Sequence, residues 1–235
     1  MHSTSPDGPP ELLEWSLVTA RGPDAESFLQ GQLSQDLRRT EEGPTWTAVL
    51  APDGVVIAAG LLRRVDDGLG IVVVREVAEV ILARLRRFLL RSRCSLDVEG
   101  PVSGPFRTRD DQIDAYWPGP SEFERGLTPH SFGARFVAST VSFDKGCFTG
   151  QELVARLDVR AARVPWRLVR ARGYAVEDLD AVLRGVGPAT VSGVTSWGVR
   201  RDDAGRLQAL GVVHRSFETT EGRAQVGDVT VEEIA

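Results

Sequence analysis

The stretch of sequence that decides the fold lies past the middle of the chain, where residues 145–152 read KGCFTGQE. Within it, Gly146 and Gly150 lie on either side of Cys147. Glycine carries no side chain, so a second molecule can approach the sulfur closely. A cysteine in this setting is typical of a reactive or ligating thiol.

The same stretch predicts the start of a helix. Thr149 and Glu152 have the Thr-x-x-Glu spacing of a capping box directly before an apolar run. Cys147 then precedes a helix N-terminus, where unpaired N–H groups and the helix dipole favour a thiolate, and Lys145 adds a positive charge. The alternative is an inert, buried cysteine, with Glu152 only closing the cap and the glycines only supplying unusual backbone angles. Both interpretations of Cys147 remain open at this point.

Composition singles out Lys145. The chain has 235 residues, and 27 of its 28 basic residues are arginine. It contains no asparagine, and Met1 is its single methionine. Such biases are typical of GC-rich coding, so a retained lysine marks a place where arginine fails. A compact ammonium group with a mobile proton is what arginine cannot imitate. On this basis, a Lys145→Arg exchange is expected to remove function without loss of stability.

Charge and cysteine content exclude several classes of protein. The 33 acidic residues give a net charge of −5, which argues against broad nucleic-acid binding because that requires a basic surface. Two cysteines do not make a disulfide framework, so both are expected to be reduced in a cytoplasmic protein, with Cys94 packed in the core. No apolar run has the length of a membrane span, and residues 1–14 are predicted to form a disordered tail.

The N-terminal half predicts an α+β domain. Apolar alternation and helical periodicity follow the order β-α-β-β-β-α-β, which favours a mixed sheet with helices on one face. Ala51-Pro52-Asp53-Gly54 is a strong hairpin turn. The second helix is predicted over Glu76–Arg91, with Val77, Val80, Ile81, Leu85, Phe88 and Leu89 on its buried face.

The C-terminal part has a different pattern. Residues 99–129 are rich in Gly, Pro and charge and read as a linker or reduced subdomain. From Trp166 onward, strand-like runs between glycine turns predict a small antiparallel β-barrel. The predicted organisation is a tail over 1–14, an α+β domain over 15–164 that is shortened around 99–130, and a barrel domain over 165–235.

The motif resembles that of the YgfZ-type folate-binding proteins, relatives of the aminomethyltransferase T protein of the glycine cleavage system. The matching residues are the run 145–152 and Arg156, with a second match in the first helix over Gly22–Asp36. The resemblance covers most of the chain. It implies the aminomethyltransferase-type α+β fold followed by a C-terminal barrel. The interval between Val98 and Lys145 is much shorter than in full-length members of this family.

The resemblance also implies a function. Such proteins are tetrahydrofolate-binding accessory factors that support assembly or repair of iron–sulfur enzymes and indirectly affect tRNA modification. Cys147 and Lys145 are then the catalytic residues, with Cys147 as the working thiol, open to a transient iron–sulfur cluster, and Lys145 tuning it or holding an anion. No resident metal site is predicted. The residues expected to bind the folate are Gly146, Gly150, Gln151, Glu152, Arg156, Arg160, Gln30, Gln32 and Asp36, although a solvated helix face is the simpler interpretation of the last three.

Three functions follow as hypotheses. The first is the folate-dependent accessory factor, with folate and iron–sulfur enzymes or assembly factors as partners and no membrane or direct nucleic-acid binding. The second is a folate-dependent one-carbon (aminomethyl) transferase, and the third is an interaction scaffold that has lost folate. The arginines between Arg84 and Arg93 read as a solvated helix face, with a docking patch for an acidic partner or tRNA as the minority interpretation.

Overall fold

The computed structural model describes residues 11–159, 164–175, 179, 193–197 and 205–234. Residue contacts divide the chain into two compact units. The motif unit consists of Glu14–Pro105 and Phe136–Arg160, and the C-terminal unit consists of Met1–Leu13, Phe106–Arg135 and Ala161–Ala235. This division differs from the predicted domains, because residues 106–135 group with the C-terminal strands.

The motif unit is built on a five-stranded sheet with the strand order β2-β3-β4-β1-β5. Every pairing in this sheet is antiparallel, so the predicted α+β class is confirmed but the sheet is not mixed. The hairpin turn lies where expected: the Gly54 N–H donates to the Ala51 carbonyl at 2.9 Å, and Gly54 has a φ of +79°. The strands are β1 (Trp15–Arg21), β2 (Thr45–Leu50), β3 (Val56–Val65), β4 (Gly68–Val74) and β5 (Ser95–Val102).

Two helices, α1 (Ala25–Gln32) and α2 (Arg75–Arg86), contribute to the same apolar core on one face of this sheet. The buried face of α2 is rotated from the prediction and consists of Ala78, Ile81, Leu82 and Leu85. Val80 and Phe88, predicted to be buried, are exposed. The helix also ends before the predicted Arg91, so Phe88 lies in the turn that follows.

Two further helices of the chain, α3 (Arg109–Asp114) and α4 (Pro120–Phe123), lie in the C-terminal unit. They occupy the segment predicted to be a linker or a reduced subdomain. Thr108 and Asp111 form a reciprocal capping box at the start of α3. A buried ion pair of 2.7 Å joins Arg109 to Glu122, and the Gly119 N–H donates to the same carboxylate at 2.6 Å. A paired buried charge of this kind makes the segment part of a folded unit.

The C-terminal unit also contains a five-stranded antiparallel sheet. Its order is β7-β8-β6-β10-β9, and among the described residues it is open at β7 and β9, so the predicted closed barrel is not formed there. The Leu13 N–H donates to the Arg107 carbonyl at 3.0 Å, which places the end of the predicted tail in this unit. The strands are β6 (Trp166–Gly173), β7 (Gly193–Trp197), β8 (Leu207–His214), β9 (Arg223–Val226) and β10 (Val229–Glu233).

The chain returns to the motif unit through α5 (Ala134–Thr140) and ends there with α6 (Gln151–Val159). The motif of residues 145–152 lies between these helices and runs into the start of α6. None of the helices in the described part of the chain combines the length and apolar character that crossing a membrane requires.

Candidate functional site

Lys145 is buried, with 6% of its surface exposed. Its Nζ atom donates to three backbone carbonyls, those of Gln30 at 2.7 Å, Leu33 at 2.8 Å and Gln35 at 3.0 Å. An ammonium group has three hydrogens, so all of its donors are used within the protein. Lys145 therefore fixes the motif to the end of α1.

The position of these carbonyls explains why a cation lies there. The last carbonyls of a helix have no partners within the helix and carry the negative end of its dipole. The Lys145 ammonium satisfies the carbonyls of Gln30 and Leu33 at the end of α1. Burial lowers the pKa of Lys145 to about 8, and the charge of Asp36 opposes this effect. Arginine spreads its donors over a planar fork and does not present three of them from a single atom.

The connection between α1 and β2 is tied to α5 by two buried polar side chains. The Ser34 hydroxyl lies 2.6 Å from the Thr140 carbonyl, and the Gln35 side-chain amide donates to the Ser139 carbonyl at 2.9 Å. The Ser142 N–H donates to the Ser34 carbonyl at 2.9 Å. Sequence reasoning missed Ser34 and Gln35, although two polar residues next to the apolar Leu33 were a signal.

The side chains of Gln30 and Asp36 form a hydrogen bond with each other. The Gln30 amide donates to the Asp36 carboxylate at 3.2 Å, and its oxygen accepts from the Leu37 N–H at 3.1 Å. The Arg38 guanidinium lies 2.5 Å from the same carboxylate and holds the pKa of Asp36 well below its usual range. Neither residue belongs to a solvated helix face, because both serve to shape the turn after α1.

Gln32 joins α2 to the motif. Its side-chain oxygen accepts from the Arg84 guanidinium at 3.3 Å and from the Thr149 hydroxyl at 3.4 Å. Arg84 also donates to the Leu50 carbonyl at 3.3 Å and lies over the Phe88 ring at 4.0 Å. Burial is the main cause of its lowered pKa. Arg84 is thus not part of a solvated helix face, contrary to the interpretation of the arginine-rich segment.

Cys147 is exposed, and it lies in a loop held on both sides by buried side chains. Lys145 precedes it by two residues, and the buried Phe148 follows it directly. The Lys145 Nζ atom is 5.3 Å from the centre of the Phe148 ring, within the range of a cation–π contact. The alternative of a buried thiol is wrong, whereas its reactivity stays a prediction. An exposed thiol on an anchored loop is available as a nucleophile or a soft ligand.

The two glycines beside Cys147 have different roles. A Cβ atom at Gly150 would lie 2.6 Å from the Ala51 carbonyl oxygen, and its φ is +83°. Gly150 is therefore required by the close approach of the hairpin turn. A Cβ atom at Gly146 would meet nothing within 4 Å, so the space beside this glycine is open.

The predicted capping box at α6 is not formed. The helix begins at Gln151, and the Thr149 hydroxyl donates to Gln32 instead. Glu152 forms an exposed ion pair of 2.9 Å with Arg156, one turn along α6. Gln151 accepts from the Phe148 N–H at 3.4 Å. The helix starts later than predicted because Gly150, packed against the hairpin, turns the chain immediately before it.

The structure therefore brings together some of the predicted site residues and separates others. Lys145, Gln30 and Asp36 cluster around the end of α1, and Gln32 contacts the motif at Thr149. Glu152 and Arg156 pair with each other on the exposed side of α6. Arg160 lies outside the described residues. Within the described part of the chain, no group of three or more His, Cys, Asp or Glu side chains is placed to hold a metal ion.

Comparison with known proteins agrees with this architecture. No family model matches the chain. An uncharacterized protein of Haemophilus influenzae is 26% identical over 192 aligned residues, covering 64% of this chain and 69% of that protein. A protein of Edwardsiella ictaluri named tRNA-modifying protein YgfZ is 25% identical over an alignment 232 residues long, which covers 64% of this chain and 67% of that protein.

A solved structure extends the similarity to the fold. The glycine cleavage system aminomethyltransferase T of Bartonella henselae matches with a TM-score of 0.59 and 13% identity, over 96% of this chain and 84% of that chain. The similarity to YgfZ and the aminomethyltransferase T fold together confirm the resemblance that the motif indicates.

The contacts of Lys145 change the outcome expected for Lys145→Arg. The bulkier guanidinium has to enter a closed site and leaves buried carbonyls without donors, so the variant is expected to lose about 2–3 kcal/mol of stability. Urea denaturation measures this loss. The reverse exchange at an exposed position, Arg39→Lys, is the control and is expected to stay within about 0.5 kcal/mol of the natural protein. Equal stability of the natural and Lys145→Arg proteins would contradict the three-carbonyl assignment.

The lowered pKa of Lys145 predicts a rise in stability with pH. Between a native pKa of about 8 and the ordinary value of 10.5, the unfolded chain keeps a proton on Lys145 that the native chain has released. The free energy of unfolding therefore increases with pH across this window, by about 3 kcal/mol at most. Urea denaturation across the window, compared with Lys145→Met, isolates the effect. A difference between the two proteins that does not change with pH would show that Lys145 does not titrate there.

Proposed function

We propose that this protein is an accessory factor for the assembly or repair of iron–sulfur enzymes, with Cys147 as its working thiol and tetrahydrofolate as its ligand. The observation that carries the proposal is the exposed Cys147, on a loop anchored by Lys145 and Phe148. The similarity to YgfZ and the aminomethyltransferase T fold support it. An effect on tRNA modification is then indirect, through iron–sulfur enzymes that modify tRNA, and the protein acts in the cytoplasm.

In this proposal Lys145 positions the thiol and does not react. All three of its hydrogens are bonded to backbone carbonyls, so it has no free donor for an anion. Its burial fixes the residue two places before Cys147. One thiol supplies one ligand, so a transient cluster on Cys147 also needs ligands from a second molecule. The proposed partner is therefore an iron–sulfur enzyme or assembly factor that approaches the loop.

Among the described residues predicted to bind tetrahydrofolate, several side chains have partners within the motif unit. Gln30 forms a hydrogen bond with Asp36, and Gln32 forms hydrogen bonds with Arg84 and Thr149. Glu152 forms an ion pair with Arg156. The polar atoms in these contacts are already used within the protein. Tetrahydrofolate binding is supported by the fold and the relatives.

This observation favours a second candidate, an interaction protein that keeps the fold and the thiol without folate. The aminomethyltransferase hypothesis is less well supported, because it needs a carboxylate that positions and accepts a proton from the folate amine. Asp36 is the buried carboxylate near the motif, and its pairing with Arg38 holds its pKa well below the usual range. A carboxylate of that kind is a weak proton acceptor.

The two cysteines provide a matched test of the working thiol. Cys147 is exposed, whereas Cys94 is half-buried and burial raises its pKa. Iodoacetamide is expected to modify Cys147 at least about tenfold faster than Cys94 in the native protein. In cells that lack the natural gene, Cys147→Ala is expected to leave iron–sulfur enzymes underactive, while Cys94→Ala restores them. Full restoration by a stably folded Cys147→Ala protein would refute the role of this thiol.

Titration calorimetry with tetrahydrofolate separates the proposal from its alternative. Saturable binding at one site per chain supports the folate-dependent factor, because the fold then retains its ligand. A protein that stays folded and shows no heat of binding is the interaction protein. The Cys147→Ala variant is the control and is expected to bind tetrahydrofolate with the same affinity, because the proposal gives Cys147 a role in the reaction and none in ligand binding.

A further inference from the structure

The end of α2 and the turn after it carry an exposed surface that combines apolar and basic side chains. Phe88 is 42% exposed and Leu90 is 84% exposed. Arg86, Arg87 and Arg91 lie beside them and are also exposed. We call these five residues the α2 surface. Large exposed apolar side chains next to one another are typical of an interaction site.

The charge of this surface is not compensated within the described part of the chain. Arg86, Arg87 and Arg91 form no ion pair there, whereas the nearby Arg75 and Arg93 pair with Glu14 and Asp24. The sequence from residue 80 to residue 96 contains no acidic residue. A local positive charge on a chain of net charge −5 favours a negatively charged partner.

Internal contacts fix the conformation of the α2 surface. The Phe88 N–H donates to the Leu85 carbonyl at 3.0 Å, and the Ser92 N–H donates to the Leu89 carbonyl at 3.2 Å. The Arg84 guanidinium lies against the Phe88 ring. Arg91 has a φ of +65°, a conformation that glycine adopts without strain and arginine does not. An ordered, partly strained turn presents its side chains at a lower entropic cost of binding than a loose one.

We propose that the α2 surface binds an acidic, apolar segment of a partner protein. Carboxylates of that segment pair with the guanidinium groups, which match carboxylates in a two-pronged geometry. Apolar side chains of the segment cover Phe88 and Leu90. A nucleic acid fits less well, because Arg84 already occupies one face of the Phe88 ring, on which a base would stack.

Within the motif unit, a series of side-chain contacts joins the α2 surface to the loop that carries Cys147, which we call the thiol loop. Phe88 contacts Arg84, Arg84 donates to Gln32, and Gln32 accepts from Thr149. Thr149 lies two residues after Cys147. These contacts couple a partner bound at the α2 surface to the thiol loop, which matters for function only if the proposed role of Cys147 holds.

Selection from a random twelve-residue peptide library on the full chain tests the proposal. Selected peptides are expected to be enriched in both acidic and apolar residues. Their affinity is expected to fall at least about tenfold in an Arg87→Glu, Arg91→Glu double variant. The control is Arg39→Glu with Arg215→Glu, which makes the same charge change at exposed positions outside the surface and is expected to leave binding intact.

Two further variants separate docking from stability. Arg91→Gly removes a charge of the surface and relieves its backbone conformation, so we expect weaker peptide binding with an unchanged or raised Tm. Leu90→Ser removes only apolar contact and is expected to weaken binding as well. Peptides without acidic residues, equal loss in the control, or tighter binding of tRNA than of the peptides would overturn the proposal. Tetrahydrofolate titration of the same variants is expected to match the natural protein, so failure of docking and failure of folate binding are distinguishable.

Discussion

The ammonium group of Lys145 bridges parts of the chain that are more than a hundred residues apart in sequence. The end of α1 leaves carbonyls that no backbone N–H satisfies, and a buried carbonyl without a donor is costly. A single cation satisfies two of them, together with the carbonyl of Gln35 in the following turn, and fixes the start of the motif in the same step. The position of Phe148, the exposure of Cys147 and the approach of Gly150 to the hairpin all follow from a motif that is held at this point.

Within one short motif, the structure separates the buried anchoring residues from the exposed thiol. Lys145 and Phe148 are buried and make only internal contacts, whereas Cys147 between them is exposed. The same separation is found in α2, where Arg84 turns inward to Gln32 and Phe88 faces solvent in the next turn. In both places a buried basic residue fixes the backbone that presents an exposed side chain. The residues to which we assign a function by proposal are thus ones that the core supports but does not enclose.

Local patterns predicted much of the motif unit, and long-range contacts account for what they missed. The hairpin turn at Gly54 and the α+β class follow from neighbours in sequence, and the reactivity expected of Cys147 stays a prediction. The partners of Lys145 and of Ser34 lie in distant segments, which periodicity does not reveal. The capping box failed because Gly150, packed against the hairpin, delays the start of α6. The buried face of α2 differs because it includes Arg84, which donates to Gln32 and to the Leu50 carbonyl. In both places contacts with distant segments override the local pattern.

The motif unit is discontinuous in sequence, since the chain leaves it at Pro105 and returns at Phe136. This has a consequence for synthesis on the ribosome. The strands and both helices up to residue 102 emerge first and can pair, but the carbonyls at the end of α1 have no Lys145 until about 40 more residues have been added. At an elongation rate of about 5–20 residues per second, that interval is about 2–9 s. During this time the carbonyls at the end of α1 lack their cation in the nascent sheet. Lys145, which also fixes the thiol loop, supplies that cation once it has been synthesised.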